Sequence, residues 1–147
     1  MRFSKMPIKK FAAYETAAPY FDLVRGALGE LVEGEHFFDV VADDVVFEVL
    51  YELGWPRVTH GRAALMSQFR GYCESMQLQS ADKLVIHKTD NNHVIFEYEV
   101  HGTVLATGAE YNNRFCSIIK IGHKKITHWR DYMDSLAAWK ALTTNTR

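Results

Sequence analysis

The sequence lacks the features of a disulfide scaffold and of a membrane protein. Cys73 and Cys116 are the two cysteines among 147 residues, and they lie too far apart for a metal-binding or redox motif. We therefore expect no disulfide framework and, by default, a cytoplasmic location. No apolar run approaches the roughly 20 residues that cross a bilayer, so we expect no membrane partner.

The sequence also lacks an excess of charge and the usual cofactor motifs. Seventeen Lys and Arg residues oppose eighteen Asp and Glu residues, which argues against a nucleic-acid partner. No glycine-rich phosphate loop and no nucleophile elbow occur. The seven histidines are scattered, with no helical i,i+4 pair and no Cys/His cluster. We therefore predict no metal site and no cofactor.

Apolar residues, by contrast, are plentiful. The chain is 48% hydrophobic and 13% aromatic, which suffices for a sizeable core and for an apolar cavity. Its length fits a single domain. We predict one domain over residues 1–147, with a core from about 17 to 134 and a short helical C-terminal tail.

The first third of the chain carries helical spacing. Pro19 suits the first turn of a helix. The apolar residues after it form one helical stripe, made of Tyr20, Val24, Ala27, Leu28 and Leu31. A short second helix is predicted over 37–41, and a third from Gly61 to about Cys73.

The rest of the chain alternates between apolar and polar residues. From Val45 to Leu53, Phe47, Val49 and Tyr51 share one face of a predicted strand. Further strands are predicted over 84–87, 94–100 and 111–121, and the last contains Trp129. Helices followed by strands indicate an α+β fold, with helices packed on one face of an antiparallel sheet.

The segment from Ile126 to Asp134 carries the main functional signal. As a strand, it places Trp129, Asp131 and Met133 on one face. A carboxylate in apolar surroundings loses solvation, so its pKa should rise, and it becomes a usable proton carrier near neutral pH. Two other interpretations stay open. Asp131 points into water at a sheet edge, or a buried arginine neutralises it.

The order of these elements, with four short motifs, resembles the nuclear transport factor 2-like superfamily. The nearest groups are the SnoaL-like polyketide cyclases, the ketosteroid isomerase-like proteins and the limonene epoxide hydrolases. The motifs are Ala-Asp-Asp-Val at 42–45, Gly-Arg at 61–62, Tyr-Asn-Asn at 111–113 and Trp-Arg-Asp-Tyr at 129–132. The resemblance implies a cone-shaped, curved, mostly antiparallel sheet wrapped around about three N-terminal helices, which encloses an apolar pocket.

The resemblance carries over one catalytic residue. In the epoxide hydrolases the aspartate of the closing motif activates a water, and here that position is Asp131. Their other polar positions fall at Tyr98, Val100, Phe47 and Val49, so epoxide hydrolysis of that type is not supported. The ketosteroid isomerase base also falls at Val49. What remains is the SnoaL-like pattern, a single acidic residue in an apolar pocket.

We therefore expect a small cofactor-free isomerase, cyclase or hydrolase that acts on an apolar, oxygenated small molecule. Asp131 is the predicted general acid/base. Tyr98 is expected to face the same cavity and to hold a substrate oxygen or orient the carboxyl group, although a core tyrosine explains it equally well. The predicted ligand-binding residues are Phe47, Val49, Val100, Asn113, Phe115, Ser117, Trp129 and Met133.

The alternative is a non-catalytic ligand-binding or dimerisation module, because this fold hosts many functions. His60, in the loop over 55–61, is a further candidate at the pocket mouth. The outer phase of the last strands mixes arginine and aromatic residues, as interfaces do. It comprises Arg114, Ile118, His128, Arg130 and Tyr132. We expect a homodimer through this outer face of the sheet.

Overall fold

The computed structural model describes residues 10–51 and 53–144. A 3₁₀ segment over Ala12–Ala17 leads into helix α1, and two further 3₁₀ turns lie at Gly29–Leu31 and Phe37–Val40. The helices are α1 (Ala18–Leu28), α2 (Arg62–Ser75) and α3 (Ser135–Thr143). The strands are β1 (Val41–Val49), β2 (Val58–His60), β3 (Met76–Lys88), β4 (His93–Val104), β5 (Glu110–Gly122) and β6 (Lys125–Met133).

The six strands form one sheet in the order β2-β1-β6-β5-β4-β3. The β1–β6 pair is parallel and all other pairs are antiparallel. The sheet is curved and does not close into a barrel. The predicted α+β fold with a curved, mostly antiparallel sheet is confirmed. Within the described ranges, no helix combines the length and the apolar character that a membrane span requires.

The helices pack on the sheet through a cluster of aromatic side chains. The rings of Phe37 and Trp129 lie 5.5 Å apart at 84°, and those of Phe47 and Phe69 lie 5.8 Å apart at 69°. Phe21 joins the same cluster from α1, 5.2 Å from Phe37. Edge-to-face pairs of this kind add to the stabilisation from buried area. The cluster fixes α1 and α2 over the inner face of the sheet.

Several element bounds differ from the sequence prediction. The predicted second helix is a 3₁₀ turn, and β1 spans Val41–Val49 rather than 45–53. The β1–β6 register shifts between Val41 and Val46, and Asp43 and Asp44 are both exposed there. Such a bulge places consecutive residues on the solvent side and disturbs the alternation. Strand β3 begins at Met76 rather than at 84, and β2 lies in a segment predicted as a loop.

The register of the central strands determines which inner-face residues meet. Ser117 of β5 lies opposite Asp131 of β6, and Phe115 lies opposite Met133. On the other side of β6, Val49 of β1 is the partner of Asp131. The alternation predicted for β6 is present, because Trp129 and Asp131 are buried while Arg130 and Tyr132 are exposed.

Candidate active site

A cavity of about 440 Å³ lies between α2 and the inner face of the sheet. Four of the predicted site residues line it: Phe47, Phe115, Asp131 and Met133. The remaining lining residues come from α1, from the segment after β1, from α2 and β3, and from α3. They are Tyr20, Tyr51, Trp55, Ser67, Gln68, Phe69, Gly71, Tyr72, Ser75, Met76 and Leu142.

Asp131 is the acidic group of this cavity, and it is 4% exposed. Its Oδ1 accepts hydrogen bonds from Ser117 Oγ at 2.7 Å and from Trp129 Nε1 at 3.3 Å. Among the described residues, no fully buried side-chain oxygen or nitrogen lacks a hydrogen-bond partner. Both hydrogen bonds to the carboxyl group end on Oδ1, so a fully buried Oδ2 would have no partner. We therefore infer that Oδ2 is accessible, and that it is accessible from the cavity that Asp131 lines.

Burial raises the pKa of Asp131 from 3.8 to about 7, more than the hydrogen bonds from Ser117 and Trp129 lower it. The predicted alternative of a neutralising arginine does not hold within residues 10–51 and 53–144, where no cation acts on this pKa. Arg130, its chain neighbour, contacts Glu48 and Tyr132 on the outer face instead. The carboxyl group therefore exists in both protonation states near neutral pH.

Tyr98 is connected to the Asp131 carboxyl group through the hydroxyl group of Ser117. The Ser117 hydroxyl has one proton, which it donates to Asp131, so Tyr98 donates to Ser117 Oγ across 2.8 Å. The Tyr98 ring stacks on Phe115 with centroids 5.3 Å apart and planes at 2°. Tyr98 is 2% exposed and does not line the cavity. It is placed to hold Ser117 rather than to touch a ligand.

Asn113 belongs to a second buried polar group. Its Nδ2 donates to Tyr111 Oη at 2.8 Å and contacts Met133 Sδ at 3.3 Å, and its Oδ1 accepts from the backbone N–H of Arg114. Burial raises the pKa of Tyr111 to about 12. Asn113 therefore lies behind Met133, which lines the cavity, and not on the cavity wall.

Three more predicted ligand-binding residues are buried in the layer behind the wall. Trp129 is 1% exposed and donates to Asp131, whereas Val100 is 0% exposed within β4. Val49 is 2% exposed and borders a shallow surface pocket between β1 and the segment that follows it. The structure thus brings Phe47, Phe115 and Met133 to the cavity and places the other predicted residues around them.

The cavity also has aromatic residues that the sequence analysis did not include. Tyr51 follows β1, Trp55 lies in the next loop, and Phe69 and Tyr72 face the cavity from α2. A signal existed for Tyr51, which shares the strand phase of Phe47. No comparable signal marks the α2 residues, because their position depends on how the helix packs over the sheet.

The tyrosine hydroxyls at the cavity stay protonated under ordinary conditions. Burial raises the pKa of Tyr20, Tyr51 and Tyr72 well above its usual value. The negative charge of Asp131 adds to this rise for Tyr20 and Tyr51. These side chains therefore cannot act as bases near neutral pH. The hydroxyls of Tyr20 and Tyr72 hydrogen-bond to Tyr98 and Tyr111, so of these three it is Tyr51 that can donate to a ligand.

The histidines lie elsewhere. His128 Nε2 is 2.6 Å from Glu48 Oε2 on the outer face, and His60 is exposed on β2. Asp82, Glu99 and His101 bring potential metal-ligand atoms within 4.8 Å of one another. His101 hydrogen-bonds to Asn112 and Asp82, and these bonds raise its pKa. It also lies 3.7 Å from Glu99, so the three side chains form a network of ion pairs at the surface.

Comparison with known proteins finds one family and many similar structures. The family model of the SnoaL-like domain matches residues 31–129. The uncharacterized protein YesE of Bacillus subtilis (strain 168) is 30% identical over 102 residues, which make up 68% of this chain and 69% of YesE.

Two solved structures share the fold at lower identity. A Bacillus subtilis protein provisionally named an isomerase is 23% identical, with a TM-score of 0.71 over 95% of this chain and 100% of its own. A Xanthomonas campestris pv. campestris protein provisionally named a polyketide cyclase is 20% identical, with a TM-score of 0.65 over 89% of this chain and 96% of its own. At these identities the likeness concerns the fold alone. Together with the domain match and the YesE relationship, it shows that the chain belongs to the SnoaL-like domain family, within the nuclear transport factor 2-like superfamily.

Proposed function

We propose that the protein is a small cofactor-free enzyme that moves a proton on an apolar, oxygenated small molecule, with Asp131 as general acid and base. One observation carries this proposal. A buried carboxyl group is held by one oxygen, while its other oxygen is left toward an aromatic cavity. The names of the structural relatives, an isomerase and a polyketide cyclase, support the same reaction class.

In the proposed step, Asp131 Oδ2 takes a proton from a carbon beside a carbonyl group of the substrate. The electron pair of the broken C–H bond moves to the carbonyl oxygen, which becomes an enolate. In an isomerisation the protonated Asp131 returns the proton to the far carbon of a conjugated enolate, and the carbonyl group re-forms. In a cyclisation the enolate carbon forms a bond to a second carbonyl carbon of the substrate, and Asp131 gives its proton to the alkoxide that results. A group with a pKa of about 7 suits both directions, because neither protonation state is strongly disfavoured at pH 7.

The developing negative charge on the oxygen needs a donor, and we assign this role to Tyr51. It lines the cavity, and the charge of Asp131 raises its pKa, so the two groups lie in electrostatic reach of each other. Among the described residues, none bonds to its hydroxyl, which therefore remains available to a substrate. Tyr98 does not touch the substrate in this proposal. It positions the Ser117 hydroxyl, which in turn orients the carboxyl group of Asp131.

The test needs no knowledge of the natural substrate. Small cyclic ketones are incubated with the protein in D₂O, and exchange of their α-hydrogens for deuterium is followed by NMR. The native protein should accelerate this exchange, and Asp131→Asn should reduce the acceleration by about 10²–10⁴-fold. Asp44→Asn is the matched control, because it removes an exposed carboxylate of β1 outside the cavity.

Two outcomes would contradict the proposal. Equal exchange rates for the native protein and for Asp131→Asn would exclude Asp131 as the proton carrier. Ketones that bind without any exchange would favour a ligand-binding module over an enzyme.

We also propose that two copies associate through the outer face of the sheet. Arg130 Nη2 donates to Tyr132 Oη at 3.2 Å, and Tyr132 is 37% exposed. Arginine and tyrosine are both enriched at protein interfaces and among their hot spots. Light scattering at micromolar concentration should give twice the mass of the chain, and a monomer mass would exclude the dimer.

A further inference from the structure

Among the residues that the structure describes, the wall of the cavity carries a single type of charge. Of the fifteen described residues that line it, Asp131 alone is ionisable near neutral pH, and none is Lys, Arg or His. The neutral polar residues of α2 in this wall are Ser67 and Ser75, which are exposed, and Gln68, which is half-buried. An anionic ligand would therefore meet repulsion without a compensating cation, whereas a cationic ligand would meet an opposite charge.

Seven of these fifteen residues are aromatic, and the ring pairs around Trp55 and Tyr72 are steeply inclined. The ring of Trp55 lies 5.9 Å from Tyr51 at 73° and 6.5 Å from Tyr72 at 78°. Phe69 lies 6.4 Å from Tyr72 at 80°. These pairs are edge-to-face, and all four of their rings line the cavity. The face of an aromatic ring attracts a cation within about 6 Å.

Asp131 is also the group whose charge can change in this environment. Its charge acts on titratable side chains from α1, the segment after β1, β4 and β5. These are Tyr20, Tyr51, Tyr98, Tyr111 and Cys116. The pKa of each is raised above its ordinary value, so all are neutral near pH 7.

We propose that the cavity also binds lipophilic ammonium ions, with the cationic head beside Asp131 Oδ2 and the alkyl groups against the rings of Tyr51 and Trp55. Burial disfavours the charged form of Asp131, and a bound cation would stabilise that form again by electrostatic attraction. The aromatic rings would contact the alkyl groups of the cation. Such a ligand would hold Asp131 in its ionised form and occupy the place of a neutral substrate. It would therefore inhibit the proposed proton transfer.

The experiment compares two probes of the same shape, phenyltrimethylammonium and tert-butylbenzene, by NMR titration of the native protein. The ammonium charge is permanent, so pH changes the charge of the protein and not that of the probe. At pH 8.5 the ammonium ion should bind about tenfold more tightly than the neutral probe. From pH 8.5 to 5.5 its affinity should fall about eightfold, nearly to that of the neutral probe, because the ionised fraction of a group with a pKa of about 7 falls to about 3%.

Three variants assign the effect to the cavity. Asp131→Asn should abolish both the preference for the ammonium ion and its pH dependence. Trp55→Leu, which removes a half-buried ring, should weaken binding of the ammonium ion more than binding of the neutral probe. Asp44→Asn, an equal loss of charge at an exposed position, should bind both probes as the native protein does.

Equal affinity of the two probes for the native protein would overturn the proposal, and so would an unchanged preference in Asp131→Asn. The result is separable from the proposed function. If ketone exchange depends on Asp131 but the ammonium ion does not bind, this inference fails and the enzymatic proposal stands. If the ammonium ion binds as expected but no ketone exchanges, the cavity is a cation site without that chemistry.

Discussion

Replacing Asp131 with asparagine should change how the stability of the protein depends on pH. The amide has nearly the same shape as the carboxyl group, and its oxygen can still accept from Ser117 and Trp129. What the substitution removes is the charge. Asp131 is ionised above a pKa of 3.8 when it is unfolded, but only above about 7 when it is folded.

The sign and the size follow from this difference. Between pH 4 and 7 the folded state binds more protons than the unfolded state, so the free energy of unfolding of the native protein falls as pH rises. A difference of about 3 pKa units corresponds to about 4 kcal/mol in total. The contribution is fully present below pH 4 and is lost by about pH 8. Asp131→Asn should lack this loss and therefore be the more stable protein at pH 8.

Urea denaturation at pH 4, 5.5, 7 and 8, followed by far-UV circular dichroism, measures the effect. The difference between the variant and the native protein is the quantity to compare, because the contributions of other titrating groups cancel in it. Asp44→Asn provides the baseline, with a difference that does not vary with pH. A constant difference for Asp131→Asn, or one of the opposite sign, would refute the reasoning about the buried carboxylate.

Other predictions concern the hydrogen bonds, the interface and the backbone. Ser117→Ala should raise the pKa of Asp131 further, since it removes a hydrogen bond that lowers it; a ¹³C carboxyl titration by NMR measures this. Tyr132→Ala should shift the mass from light scattering toward the monomer, if the outer face is the interface. Gly102→Ala should destabilise the fold by about 1–3 kcal/mol, because a Cβ there would collide with the backbone carbonyl oxygen of Gln77. Gly26→Ala, where a Cβ meets open space in α1, should instead stabilise by about 0.5–1 kcal/mol in urea denaturation.

The sequence predicted the elements whose side chains alternate cleanly and missed those whose side chains do not. Strands β4 to β6 bury one face and expose the other, so their phase could be read directly. Strand β3 is mostly exposed after Leu78, and its register shifts twice, between Leu78 and Ser80 and between Asp82 and Val85. Bulges of this kind remove the period of two on which strand prediction depends.

The candidate site divides in the same way. Asp131 and Met133 could be placed at the cavity because strand phase and the closing motif determine their side. Tyr98 and Asn113 share that side, yet they lie behind the wall, because phase does not determine depth. The sequence could not predict that Phe69 and Tyr72 of α2 line the cavity, because the angle at which a helix crosses a sheet depends on packing across the whole core.

The presence of an aspartate at position 131, rather than an asparagine, needs a physical reason. The register of β5 and β6 sets Ser117 opposite this position, and Trp129 lies two residues away, so either side chain would receive both hydrogen bonds. Asparagine would do so without the loss of about 4 kcal/mol that ionisation brings above pH 7. That loss is large beside a typical folding stability of about 5–15 kcal/mol. Unfavourable groups of this kind concentrate at functional sites. The balance therefore favours chemistry or ligand binding, and not packing, as the role of Asp131.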